Sequence, residues 1–245
     1  MATVLLIGAS RGVGLEMARQ YREAGWRVIA TARSDEGLDR LKALGCETLR
    51  VEVAQPAGNS GLAWQLVGEK LDLAVYVAGV MDRANAPQPP TREAFDAVMH
   101  TNVMGAMQVI PQILPMLQEA RGTLACISSV MGSQQETTSG SAWLYRVSKA
   151  ALNMVVRCVQ PDQNEVAVLA LHPGWVQTEM GGAQAPLTVQ QSATSLRQTL
   201  ERVRTQRAPE HSARSLRQTL QRVLEQQDPQ HRGAFLNHDG STLPW

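Results

Sequence analysis

Short apolar runs alternate with longer amphipathic stretches along the chain. The runs fall at residues 4–7, 28–31, 48–53, 71–77, 123–127, 166–171 and 234–236, and each has the length of a buried strand. Unbroken runs, rather than strict apolar–polar alternation, imply strands covered on both faces. Between them apolar residues recur at helical spacing. Gly25 and Gly45 stand where a helix stops and the next strand begins. Strand and helix in strict succession give a parallel sheet with helices on both faces and right-handed crossovers. The expected fold class is α/β, doubly wound. Residues 86–90, Ala-Pro-Gln-Pro-Pro, make a rigid extended loop after the fourth strand. Ligand crevices of such sheets open beyond strand carboxyl ends, so this loop is expected to edge a site.

One stretch breaks the rhythm. Residues 192–211 read SATSLRQTLERVRTQRAPEH and residues 212–231 read SARSLRQTLQRVLEQQDPQH, identical at 13 of 20 aligned positions. This is a tandem duplication, not a solenoid, since two copies cannot form a stacked array. Leu196, Leu200 and Val203 repeat as Leu216, Leu220 and Val223 at helical spacing. Pro209 suits the first turn of the second helix.

Composition narrows the function classes. With 44% apolar and 18% charged residues over 245 positions, the chain can build a sizeable core, as one domain or two small ones. Its net charge of +1, from 23 basic and 22 acidic residues, gives no electrostatic footprint for nucleic acid or an anionic membrane. Residues 4–7 are too short for a signal segment, and no apolar run reaches membrane-spanning length. Cys46, Cys126 and Cys158 have neither metal-ligand nor CxxC spacing, so no metal site is expected and a reduced, cytoplasmic setting fits. Cys126 and Cys158 read as small buried hydrophobes.

Candidate chemistry begins at Gly8-Ala9-Ser10-Arg11-Gly12-Val13-Gly14, between the first strand and the first helix. Glycines let the backbone turn tightly and let a pyrophosphate approach a helix N-terminus, whose free N–H groups favour anions. After the second strand, Ala32 and Arg33 stand where an acid would bind an NAD ribose. An arginine there can pair with a 2′-phosphate, and Arg11 could reach the same group, so both point to NADP(H). Tyr145 and Lys149 form YxxxK on a helix predicted over 142–159, and residues four apart share a face. A nearby ammonium would lower the phenol from its usual value of about 10. Ser128 and Ser129 end the fifth strand, Asn102 lies in the fourth crossover, and His172 follows the sixth strand. All lie on the carboxyl side of strands. His172 reads as a packed residue before the Pro-Gly turn, since Tyr145 already supplies an acid–base group. Trp143, Trp175, Met131 and Met180 suit either an apolar pocket or the core and its rim.

GxxxGxG, Asn102, Ser129 and Tyr145-xxx-Lys149, in this order, resemble the short-chain dehydrogenase/reductase family nearly end to end. His172-Pro-Gly-Trp-Val-Gln-Thr-Glu-Met-Gly-Gly182, Ala185-Pro-Leu-Thr188 and the ending at Gly233–Gly240 with Leu243-Pro-Trp245 are similar to its C-factor and Sniffer-type carbonyl reductase subgroup. The resemblance implies a Rossmann-type, seven-stranded sheet of order 3-2-1-4-5-6-7. It implies that Tyr145 protonates a small ketone or aldehyde as NADPH delivers hydride. Lys149 would tune the phenol and bind the nicotinamide ribose, Ser129 would hold the carbonyl, and Asn102 would hold a water. Ser129 is preferred over Ser128 because the Ser-x-x-Gly register falls on Ser129 and Gly132. Cofactor contacts are implied for Gly8, Ser10, Arg11, Gly12, Val13, Gly14, Arg33, Glu52, Val53, Ala78, Gly79, Tyr145, Lys149, Pro173, Gly174, Val176 and Thr178. Two positions depart from the family. Tyr76-Val77 replaces the usual Asn-Asn before Ala78-Gly79, and Glu52 stands for the usual adenine-contacting aspartate. The resemblance also implies a homodimer or homotetramer through the helices holding Asn102 and Tyr145. The C-factor branch brings a second possibility, an NADP-binding signalling protein in which catalysis is dispensable.

Family members have one helix between the sixth and seventh strands, so the two copies compete for one place. Copy one has a capping box in Thr188 and Gln191; copy two has the wider apolar stripe, with Leu224 for Arg204. One copy is expected to pack on the sheet and the other to extend the substrate-side rim or meet a partner subunit, leaving a single domain with a surplus helix. Deleting residues 212–231 should therefore preserve the fold, as read by circular dichroism and thermal melting. An unfolded product would contradict this.

Overall fold

The structure, a computed structural model, describes residues 1–207 and 233–245. The second repeat copy, with Pro209 and its expected helix, lies outside the described residues. Seven strands form one parallel sheet of order β3-β2-β1-β4-β5-β6-β7. They are β1 (Thr3–Ile7), β2 (Arg27–Ala32), β3 (Glu47–Arg50), β4 (Leu73–Tyr76), β5 (Thr123–Ile127), β6 (Ala167–His172) and β7 (Phe235–Asn237). The helices are α1 (Gly12–Glu23), α2 (Asp35–Ala43), the short α3 (Pro56–Asn59) and α4 (Leu62–Gln65), α5 (Arg92–Met99), α6 (Gly105–Ala120), α7 (Trp143–Val159) and α8 (Val189–Arg207). A π-helical turn, His100–Met104, joins α5 to α6.

The strand pattern follows from double-sided burial. Val4 and Leu6 enter the core layer under α1 and α8, and Leu5 and Ile7 enter the layer under α6 and α7; all four are fully buried. β3 ends at Arg50, three residues short of the expected run. Val51 and Val53 remain buried beyond it, while Glu52 turns back and its N–H donates to Gly58 O at 3.2 Å. Cys126 is buried as expected, but Cys158 is exposed. It lies two residues after buried Val156 on α7, a rotation of about 200° that carries it to the outer face.

Copy one of the repeat supplies α8. Ala193, Leu196, Leu200 and Val203 point into the core with α1. Thr188 and Gln191 form the capping box: the Gln191 N–H donates to Thr188 Oγ1 at 3.1 Å and the Thr188 N–H to Gln191 Oε1 at 2.9 Å. Ser192 Oγ donates to Pro173 O at 2.6 Å and Thr199 Oγ1 to His238 O at 2.8 Å. These bonds tie α8 to the segments that follow β6 and β7. Leu196 has no exposed surface, so Leu196→Ala should lower the unfolding free energy by about 3 kcal/mol in urea titrations. A loss under about 1 kcal/mol would mean that this stripe does not hold the helix.

Candidate active site

β1 and β4 are parallel neighbours on which the chain winds in opposite directions, and the crevice opens at their carboxyl ends. The glycine-rich turn starts there. Gly8 has φ +80°, and a Cβ on it would sit 2.6 Å from Ala78 Cβ, so only glycine lets the two strand ends close together. Gly12, at φ +53°, faces Thr178 across the turn, 3.4 Å from Cγ2 to the position of an added Cβ. Gly14 lies against Ala9, and Val13 packs on the core edge. Arg11, the residue before α1, makes no side-chain cap. By contrast Ser34 caps α2, Thr91 caps α5 and the capping box closes α8. The start of α1 thus has no side-chain cap on its first N–H groups.

The basic residues of this end are each engaged with an acid. Arg11 pairs with Glu179 at 2.5 Å across the cleft, and Arg33 lies 3.7 Å from Glu52; both arginines are well exposed. Glu52 Oε1 also accepts from Ala54 N at 3.3 Å, and Val53 O accepts from Asn59 Nδ2 at 3.3 Å. Sequence reasoning missed Arg40 and Arg50. Arg40 Nε donates to Ser10 O at 3.0 Å, fixing the turn from α2, and Arg50 donates to Arg33 O at 2.8 Å. Neither belongs to a motif; Arg40 could have been found only by its helical offset from Ser34.

The second cluster gathers on α7 and the ends of β4 and β5. Tyr145, Lys149 and Ser129 are all buried. Lys149 Nζ lies 5.6 Å from the Tyr145 ring centre and donates to Ile127 O at 2.8 Å. Gly79 separates Lys149 from Asn102: a Cβ there would be 3.4 Å from Nζ and 3.5 Å from Asn102 Oδ1. The two serines have different partners. Ser128 Oγ donates to Asn153 Oδ1 at 2.5 Å, whereas Ser129 Oγ accepts from Met131 N at 3.1 Å and its hydroxyl is within hydrogen-bonding reach of the Tyr145 phenol. Asn102 spends its side chain on neighbours: Oδ1 accepts from Val80 N at 2.8 Å, and Nδ2 donates to Val80 O and Ser148 Oγ, both at 2.9 Å. Ser148 Oγ in turn donates to Tyr145 O at 2.7 Å.

Burial dominates the electrostatics. It pushes the Tyr145 phenol up to about 12, with the Ser129 hydroxyl pulling the other way. It drives the Lys149 ammonium down to about 8. Burial thus outweighs any lowering of the phenol by Lys149. A charged phenolate loses its hydration in this pocket, which favours the neutral phenol.

The rim comes from three segments. Pro173 and Gly174 lead to Val176, which is buried and bridges to Leu187. Thr178 Oγ1 accepts from Gly181 N at 2.9 Å, and Trp175 Nε1 donates to Gly181 O at 2.8 Å while its ring stays exposed. Arg83, from the loop after β4, donates to Met180 O at 2.5 Å. The proline-rich loop braces the start of α7: Ala86 N donates to Gly140 O at 3.0 Å, and Asn85 Oδ1 accepts from Ala142 N at 3.1 Å. Among the described residues, no three His, Cys, Asp or Glu side chains group to hold a metal ion.

A family model described as short chain dehydrogenase matches residues 2–186. The chain is a short-chain dehydrogenase/reductase. C-signal of Myxococcus xanthus is 38% identical over 148 residues, 59% of this chain and 74% of that protein. A short-chain dehydrogenase/reductase of Burkholderia multivorans, solved with bound NADP, superposes with a TM-score of 0.82 at 28% identity, covering 100% of this chain and 99% of that one. The carbonyl reductase Sniffer of D. melanogaster has the same fold, with a TM-score of 0.82 at 23% identity over the whole of both chains. The sheet order of this dehydrogenase/reductase is the one expected of the family.

His172 lies behind the Pro173-Gly174 turn, and burial first, then His238, drive its imidazole down to about 4 from 6.5. The unfolded imidazole takes up its proton near 6.5, so stability falls as pH drops from there toward 4, by up to roughly 3 kcal/mol. His172→Gln should flatten the urea-unfolding stability curve between about pH 7 and 5. A curve with unchanged slope would show that the histidine is not the titrating group.

Proposed function

We propose that the chain is an NADPH-dependent carbonyl reductase of small ketones or aldehydes. The observation that carries this reading is the convergence of Tyr145, Ser129 and Lys149 beside Gly79, one residue beyond the Ala78 against which Gly8 of the glycine-rich turn closes. Gly8, Ser10, Gly12, Val13 and Gly14 would form the cradle for the cofactor's pyrophosphate, and Arg11 and Arg33 would meet its 2′-phosphate. Glu52, Val53, Ala78 and Gly79 would flank the adenosine side; Pro173, Gly174, Val176 and Thr178 would flank the nicotinamide. When bound, the cofactor supplies hydride.

The residues of the chain manage the proton. A phenol held at about 12 stays protonated at neutral pH, which is the form a general acid must have. The Ser129 hydroxyl, beside the Tyr145 phenol, would turn to hold a carbonyl oxygen near Tyr145. Lys149, at about 8, remains largely charged at pH 7, and its ammonium favours the phenolate once the proton has left. Asn102 fixes the loop after β4 against α7, and any water it holds for proton return would sit beside these bonds.

Exposed Phe95, Met107, Val147 and Met154 on α5, α6 and α7 support a homodimer or homotetramer through these helices. No helix among the described residues is long and apolar enough to cross a membrane, and the free cysteines support a cytoplasmic setting. The likeness to C-signal favours the second reading, a signalling protein that binds NADP without needing turnover.

Tyr145→Phe separates the two. Carbonyl-dependent NADPH oxidation should fall at least about a hundredfold while NADPH still raises the melting temperature. Unchanged turnover would overturn the assignment of Tyr145, and no turnover of any carbonyl by the native chain would favour signalling.

A further inference from the structure

We propose that Tyr76 is a positioning residue whose hydroxyl holds the π-helical turn that presents Asn102 to α7 and Lys149. Its kinetic consequence rests on the reductase reading; its structural consequence does not.

Tyr76 ends β4 and is fully buried. Its hydroxyl donates to Thr101 O at 2.7 Å, the carbonyl directly before Asn102. That carbonyl belongs to the one turn, His100–Met104, that is wound wider than the α-helices on either side. A π-turn takes its carbonyls out of step with the α-helical ladder and occurs often where a side chain must be placed. Gly105 follows immediately, and a Cβ on it would come within 2.5 Å of the Tyr76 phenol oxygen and 2.7 Å of Val53 O. A wide turn, a glycine and a buried hydroxyl thus meet at one point, and the glycine leaves room for the hydroxyl.

The turn passes this restraint on. Asn102 joins Val80, in the loop after β4, to Ser148 on α7, and Ser148 bonds the carbonyl of Tyr145. Tyr76 therefore ties β4 to the turn, and Asn102 ties the turn to the helix that carries Tyr145 and Lys149. The neighbouring backbone does not need the tyrosine for its own pairing, since Val77 N and Ala78 N both donate to Ile7 O at 2.9 Å. The phenol takes up a function at the strand end where the family usually places asparagine.

The test uses Tyr76→Phe in the full chain, with Gly105→Ala as a second variant that crowds the phenol without removing it. In hydrogen–deuterium exchange of the cofactor-free protein, amides of residues 99–106 should exchange about tenfold faster in both variants, with α1 and α8 unchanged. With NADPH and a reducible carbonyl, Tyr76→Phe should lower kcat about tenfold or more while NADPH affinity stays within about twofold. Unchanged exchange at 99–106, or a rise shared equally by α1 and α8, would overturn the proposal. So would faster exchange with unaltered kcat. A native chain inactive toward all carbonyls would fail the reductase reading alone, because the exchange comparison still decides whether Tyr76 holds the turn.

Discussion

The close approach of β1 and β4 at their carboxyl ends is the constraint on which the molecule turns. Both backbones leave the sheet here, and the Ile7 carbonyl accepts the N–H groups of both Val77 and Ala78. Gly8 lies so near Ala78 that no side chain fits between them. This contact sets the glycine-rich turn on one side of a crevice and Gly79, with Asn102 and Lys149 around it, on the other. The pairing of parallel strands across a reversal of winding thus brings the glycine-rich turn close to the strand end that leads to the buried cluster of Tyr145, Ser129 and Lys149.

Within that cluster the energetics are those of charge in a dry place. Among the described residues, Lys149 reaches only a backbone carbonyl at hydrogen-bond distance and sits above an aromatic ring. Burial without a close carboxylate partner is why its ammonium is weakened and the adjacent phenol strengthened as a proton holder. At the other lip, Arg11 and Arg33 face acids, Glu179 and Glu52. These pairs are exposed and individually weak, so a phosphate can compete for either arginine.

The layers of the fold were legible because double-sided burial writes itself as unbroken apolar runs, and all seven strands lie within or beside those runs. The glycine turn, YxxxK and Ser129 were legible because each needs a particular residue type at a fixed offset. What sequence did not disclose depends on which group a side chain finds in space. Tyr76 looked like a loss of asparagine, yet its phenol bonds Thr101. Arg40 belongs to no motif, and its bond to Ser10 O depends on how α2 packs beside the glycine-rich turn. Cys158 looked buried because cysteine usually is, but helical phase turned it outward. Register alone distinguished the two serines in the sequence, and the bond of Ser128 to Asn153 was not legible there. For the duplication, sequence placed Thr188 and Gln191 at capping distance, and that box does begin the helix packed on α1.

The most direct test of the account is a thermal-shift titration with NADPH and NADH at matched concentrations. If the uncapped start of α1 and the arginines beside it form a dinucleotide site selective for the 2′-phosphate, NADPH raises the melting temperature by several degrees, roughly the effect of 2 to 3 kcal/mol at a hundredfold excess over Kd. NADH should raise it far less. Equal shifts would contradict the selectivity, and no shift with either nucleotide would contradict the site itself.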